Sequence, residues 1–261
     1  MGGPGNSTAR LSERFRVRSF EADPLGRLQV PILCRLLQEA ATAHAAELGV
    51  AVDTLVDSGV AWVLNRLDLH VQRWPQSDDE IVVETWPHAM NRLFTERRFR
   101  LLNATGETIG EASTLWLILD LERRRPVRLP AQVVDQLSKL ELSPDPVRLQ
   151  DLKLPEGASL EVAFTVRRGD VDLAGHANNT SFVEWVVEAV PDEVWSTCDL
   201  SDLSIQFLAE CRRGQTVLSR SEVAAIDDSY EVRHQLVRQE DGVEVARART
   251  AWRRAGDRPS S

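Results

Sequence analysis

Two segments of the chain repeat one another. ADPLGRLQVPILCRLLQEAA (residues 22–41) and VDLAGHANNTSFVEWVVEAV (171–190) align without a gap at an offset of 149, which sets Asp23 on Asp172, Gly26 on Gly175, Arg27 on His176 and Glu39 on Glu188. Leu33, Leu36, Leu37, Ala40 and Ala41 in the first copy fall on Phe182, Trp185, Val186, Ala189 and Val190 in the second. Both sets recur at i, i+3, i+4, i+7 and i+8, the apolar stripe of a helix with one buried face. A D-x-x-G turn precedes each helix. Pro31 sits near the start of the first, where a missing N–H does no harm, and Gly49 is placed to end it. Pro191 stops the second.

The segments that follow also repeat. Residues 60–74 and 79–86 read as strands, and 92–103 with 107–121 as a hairpin around Ala104-Thr105-Gly106. In the second half, 203–211, 216–225, 230–239 and 243–254 give the same order. Gly106 precedes Trp116 by the same interval that separates Gly242 from Trp252. Leading strands are expected near 15–20 and 160–168. A duplicated unit of one buried helix and an antiparallel meander predicts an α+β chain of two tandem hotdog domains. Each sheet wraps a central helix, and the two units pair as an internal pseudo-dimer. The expected division is a flexible arm over 1–14, an N-terminal domain over 15–130, a linker over 131–158 and a C-terminal domain over 159–255, with a tail over 256–261. A short helix is expected at 131–139.

Composition narrows the function. With 43% hydrophobic and 27% charged residues the chain is an ordinary globular protein, and no apolar run reaches the ~18 residues of a membrane span. The first residues show no apolar signal core, so a cytoplasmic location is expected. A net charge of −9 argues against nucleic acid as a partner. Three cysteines without C-x-x-C spacing and five scattered histidines give no metal site, and no cofactor is implied.

The halves differ where chemistry would sit. Arg27 is replaced by His176, a group that titrates near neutral pH, and the strand pattern sets Glu210 against Trp74. Only the second half therefore combines Asp172 with His176 and Glu210. The absence of a counterpart to His176 and Glu210 from the sister half shows that the shared scaffold does not require them.

These residues carry a resemblance. Asp170-Val171-Asp172-Leu173-Ala174-Gly175-His176-Ala177-Asn178-Asn179 is similar to the D-x-D-x-N-x-H-V-N-N segment of the plant and bacterial acyl-acyl carrier protein thioesterases, and Glu210-Cys211 matches that family's Glu-Cys strand motif. Residues 85–130, ending in an Arg-Arg stretch, resemble the family's first half. The family's Asn two residues before the His is Ala174 here.

The resemblance implies hydrolysis of fatty acyl thioesters. The alternatives are an acyl-CoA thioesterase of the same fold and a catalytically degenerate acyl-binding protein. Hydrolysis needs a base for the attacking water and donors for the oxyanion. Glu210 is assigned as the base, a role favoured by partial desolvation. His176 is assigned as orienter or proton donor and Asp172 as the group that holds the arrangement, with nucleophilic attack by Asp172 as the runner-up. The helix beginning around 177–179 would polarise the carbonyl through its free N–H groups. Gly175 and Asn178 are expected to touch substrate there. Cys211 is read as a packed residue. Trp62, Leu64, Leu67, Leu69, Trp86 and Trp116 are candidate walls of an acyl pocket in the first half. Arg123, Arg124 and Arg125 are candidate docking residues for an acidic acyl carrier protein bearing a phosphopantetheine-linked chain. The active unit is expected to be a monomer with an internal pseudo-dimer, or a homodimer.

Overall fold

The computed structural model describes residues 9–51, 55–144, 151–157 and 159–255. The first half contains β1 (Leu11–Arg16), α1 (Val30–Glu47), β2 (Val60–Val71), β3 (Glu80–Met90), β4 (Phe94–Asn103), β5 (Thr108–Asp120), β6 (Arg125–Val127) and α2 (Ala131–Leu137). The second contains β7 (Leu160–Thr165), α3 (Asn179–Val187), α4 (Asp192–Thr197), β8 (Cys198–Phe207), β9 (Thr216–Ile226), β10 (Ser229–Arg238) and β11 (Glu244–Arg254).

Ten strands form one continuous sheet in the order β1-β3-β4-β5-β2-β8-β11-β10-β9-β7, with β6 added beside β5. The order is a palindrome about the β2–β8 seam, so each strand of one half, β6 apart, has its counterpart in the other. The seam is antiparallel and runs from Arg66 opposite Gln206 to His70 opposite Asp202. This is the double hotdog fold, with the two sheets fused edge to edge.

α1 buries Leu33, Leu37, Ala40 and Ala41 against the first sheet. α3 is half as long and compensates with bulk. Its Phe182 and Trp185 rings lie 5.0 Å apart, and Phe164 of β7 stacks on Trp185 at 6.2 Å. The helices meet at the centre, where Arg35 Nε donates to Thr180 Oγ1 at 3.3 Å. One buried cluster runs through both halves. α2 packs Val133 and Leu137 into a second cluster with Leu48, Val50, Leu55, Ile118 and Leu129, close to where a short helix was expected.

Three expectations shift. β1 begins at Leu11 and pairs with β3, so the last residues of the supposed arm are strand; Ser19–Glu21 form a 3-10 turn in place of the strand expected near 15–20. β8 spans Cys198–Phe207 in place of 203–211, because α4 follows Pro191 and delivers the chain to the sheet earlier. Glu210 and Cys211 consequently lie in the loop after β8, and strand alternation does not govern where they point. The supposed tail over 256–261 and part of the linker, 145–150 and 158, lie outside the described residues. Among the described residues no helix is long and apolar enough to cross a membrane.

Candidate active site

The D-x-x-G turn has the same backbone geometry in both halves. Asp172 N–H donates to His176 C=O at 3.0 Å and Gly175 N–H to Asp172 C=O at 3.0 Å; the matching bonds of Asp23, Arg27 and Gly26 are 2.7 and 2.8 Å. Gly175 and Gly26 both have φ near 80°, a conformation that costs glycine nothing. A Cβ on Gly175 would meet nothing within 4 Å, so the turn faces open space. Asn178 caps α3: its Oδ1 accepts from Thr180 N–H at 2.9 Å, leaving its Nδ2 to donate to Asp172 Oδ2 at 3.3 Å. Asn178 is thus held by the fold as a cap. Ala177 N–H bonds Cys211 C=O and Leu28 N–H bonds Pro75 C=O, both at 2.8 Å, which superposes Glu210 on Trp74 as the strand pattern implied.

Glu210 and His176 come together. His176 Nε2 lies 3.0 Å from Glu210 Oε2, with the side chains 22% and 35% exposed. The same oxygen receives Arg124 Nη2, which reaches across from the turn between β5 and β6. Arg238 Nη1 donates to Glu210 C=O at 2.6 Å while its Nε and Nη2 clamp Asp241, so the loop is anchored at its backbone. Glu210 is partly desolvated, and it sits between a histidine and an arginine. Arg124, a candidate docking residue, is half-exposed and pairs with Glu210. The run of arginines drew attention to Arg124 but not to its contact with Glu210, and Arg238 carried no local sequence signal, since each acts across a long chain separation.

Asp172 does not touch the imidazole. Its carboxylate accepts from Ala174 N–H at 2.9 Å and from Asn178 Nδ2, so it acts as a positioning residue for the turn and the cap. Of the nearby backbone donors, Gly175 N–H is consumed by the turn. Those of His176 and Asn179 have no hydrogen-bond partner among the described residues, and they lie at the positive end of α3. Cys211 is fully buried and its thiol is pushed up to about 11 by that burial, consistent with a packed residue.

The sister site is filled by structure. Arg27 is buried, with Nε on Asp23 Oδ2 at 2.8 Å, Nη1 on Cys198 C=O and Asp199 Oδ1 at 2.8 and 2.9 Å, and Nη2 on Trp195 C=O at 3.3 Å. Trp74 Nε1 donates to Leu200 C=O at 2.7 Å. Each of these residues braces one half against the other.

Two small cavities lie near the start of α3 and the inner face of α1. A cavity of about 20 Å³ is lined by Asn179, Thr180, Val183 and Phe207 together with Leu37, Leu64, Leu67 and Phe99. Ala41 and Trp116 border both it and a further cavity of about 70 Å³, walled by Trp62, Ala45, Val50, Pro87, Arg97 and Leu137. Trp62 and Trp116 therefore line these cavities. Trp86 does not. Thr85 faces the core, so alternation turns Trp86 to the opposite face of the sheet, where Arg10 and Arg100 cover its ring at 3.9 and 5.9 Å. Arg123 and Arg125 are exposed beside Arg124, on the lip above Glu210. Among the described residues no cluster of three His, Cys, Asp or Glu side chains could hold a metal ion.

Comparison with known proteins gives one answer for both halves. The acyl-ACP thioesterase N-terminal domain matches residues 9–137 and the acyl-ACP thioesterase C-terminal domain residues 154–254. The chloroplastic palmitoyl-acyl carrier protein thioesterase of Gossypium hirsutum is 27% identical over 262 residues, which cover 93% of this chain and 63% of that protein. The solved 12:0-ACP thioesterase from Umbellularia californica is 26% identical, with a TM-score of 0.86 and 95% of each chain covered. An acyl-ACP thioesterase from Bacteroides thetaiotaomicron shares the fold, at 23% identity and a TM-score of 0.81 over 96% of this chain and all of that one. Matched in both halves and over most of its length, the chain belongs to the acyl-ACP thioesterase family.

Proposed function

We propose that this chain hydrolyses fatty acyl-acyl carrier protein thioesters to free fatty acid and carrier protein. The observation that carries the reading is the 3.0 Å contact between His176 and Glu210, set beside the N-terminus of α3 and the cavity there. The acyl chain enters that cavity, leaving the thioester carbonyl near the N–H groups of His176 and Asn179. Glu210 takes a proton as water attacks, and the oxyanion develops at the positive end of α3. On collapse His176 protonates the departing phosphopantetheine sulfur and regains its proton from Glu210, so the pair ends as it began. Arg124 keeps the carboxylate aimed at the imidazole, and Asp172 holds the turn.

The relatives named above act on carrier-bound chains, which supports the same substrate here. Both halves of the pairing lie in one chain, so the active unit is proposed to need no second copy. The buried free thiols Cys34, Cys198 and Cys211 suit a reducing compartment such as the cytoplasm, the location proposed. The test is thiol release from acyl-acyl carrier proteins and acyl-CoAs of matched chain length. Faster release from the carrier set is expected. Equal rates would make this an acyl-CoA thioesterase, and tight acyl binding without release would make it a binding protein. Glutamate at both Arg123 and Arg125 is expected to raise KM for the carrier substrate about tenfold and to move a simple thioester far less. An equal change in both substrates would remove the docking surface from this lip.

A further inference from the structure

The cavity at the start of α3 has a pseudo-symmetric mate in the sister half. The first is lined by Asn179 and Thr180, by Gln38 of α1, and by Leu64 and Trp116, which face each other across β2 and β5. The matching residues line a cleft at the start of α1: Val30 and Pro31, Val187 of α3, and Leu200 opposite Trp252 across β8 and β11. The offset of 149 relates the helix residues, and both strand pairs shift register beside the tryptophan. Arg27 and Trp74, which stand in place of His176 and Glu210, also line this cleft. It has kept a pocket where the reaction groups are gone. Its volume is about 320 Å³, against about 20 Å³ for the first cavity, and the helix that walls it is the shorter one. α3 stops at Val187, whereas α1 continues beyond the matching Gln38 to Glu47. After Pro191 the chain enters α4, whose Trp195 walls the cleft with its ring 5.1 Å from the Arg27 guanidinium.

Small-molecule sites span roughly 300–1,000 Å³ and are mostly apolar with a few convergent polar groups. Apart from Arg27 the buried lining here is apolar, and the N–H groups of Trp74 and Trp252 are already bonded within the protein. The charged lining divides into paired and free groups. Arg27 holds Asp23 and Asp199, and Glu184 receives Arg167 at 3.0 Å. Arg35 is exposed, its Nε donates to Thr180 Oγ1, and among the described residues it forms no ion pair. Glu188 is exposed on the same cleft. A guanidinium with both terminal nitrogens open is a bidentate site for a carboxylate, and the apolar walls take a hydrocarbon chain. A fatty acid has both parts, and the reaction releases one. We propose that the sister cleft binds free fatty acid, with its chain against Trp252, Leu200 and Val187 and its carboxylate on Arg35. This rests on the reading of the chain as an acyl thioester hydrolase whose acyl site is the first cavity.

The experiment is isothermal titration calorimetry with octanoate, dodecanoate and dodecylamine, each kept monomeric, on the native chain and on cleft variants. Ile32→Trp, which places an indole in the sister cleft, is expected to remove one bound dodecanoate per chain. Arg35→Met is expected to weaken that site about tenfold, the loss of a charged hydrogen-bond partner. Glu188→Gln, which takes an anion away from the same cleft, is expected to tighten it. Thermal melting checks each fold, and the exposed Arg35→Met decides the matter if Ile32→Trp does not fold. Dodecanoate binding unchanged by both Ile32→Trp and Arg35→Met overturns the site, as does the absence of any bound dodecanoate. Tighter binding of dodecylamine than of dodecanoate, lost in Ile32→Trp, overturns the fatty acid as the occupant. The hydrolase reading is decided apart from this. Thioester cleavage abolished by Glu210→Gln upholds it even where the cleft binds nothing. If no thioester is cleaved that reading fails, and the calorimetry, which needs no turnover, still decides whether the cleft takes a fatty acid.

Discussion

Glu210→Gln is expected to slow thioester cleavage by about 1,000-fold, within the range that a positioned general base contributes. Glutamine keeps the size of the side chain and can still accept from Arg124, so the loop should stay where Arg238 holds it. What glutamine cannot do is take a proton from water. His176→Ala should cost a comparable factor, and the double variant little more than either single one, since the two groups work as a unit. Single-turnover rates on one acyl-acyl carrier protein, read beside circular dichroism, separate chemistry from misfolding. A folded Glu210→Gln protein retaining more than a tenth of the parent rate would remove Glu210 as the base. Additive losses in the double variant would instead mean that the 3.0 Å contact is not a proton path.

The second large effect is on stability, and it falls in the half without the chemistry. Arg27→Met is expected to destabilise the chain by about 3–5 kcal/mol, because it strands the carboxylate of Asp23 in a buried setting and leaves Cys198 C=O without its donor. Arg124→Met, at an exposed pair, should cost less than about 1 kcal/mol. Denaturant unfolding of the two variants measures the contrast. The loss at Arg27 should come without a change in cooperativity, since its bonds span both halves. A similar small loss at both positions would show that Arg27 is not the brace its contacts suggest.

The repeat made much of this readable in advance. Asp23 and Asp172, Gly26 and Gly175, and the paired tryptophans all reappear with matching local geometry: Trp116 and Trp252 each donate Nε1 to the threonine two residues earlier at 2.9 Å. Duplication shows such positions twice, so a shared structural need stands apart from a residue present once. The misplaced boundary of β8 has a physical cause. Leu208 is exposed, but Ala209 and Cys211 continue the apolar pattern beyond Phe207 because the loop packs inward there, with Cys211 C=O tied to Ala177. Hydrophobicity records burial, and here burial outlasts the strand. Trp86 misled for the opposite reason: its ring is covered by arginine side chains, which apolar patterning does not register. Arg124 was legible only as one of a run of arginines, because its contact with Glu210 is set by elements distant in sequence.

The β2–β8 seam also has a consequence for the newborn protein. β2 leaves the ribosome long before β8 exists, and at about 5–20 residues per second the delay is on the order of ten seconds. For that time the first half is a sheet with an open edge, able to recruit a strand from a neighbouring nascent chain. Arg66 and Asp68, paired at 2.9 Å on this strand, place charges that a mismatched partner would have to bury. The seam that fuses the halves in the finished molecule is thus the place where crowded synthesis most easily yields an exchanged dimer, and slower delivery of the second half would increase that yield.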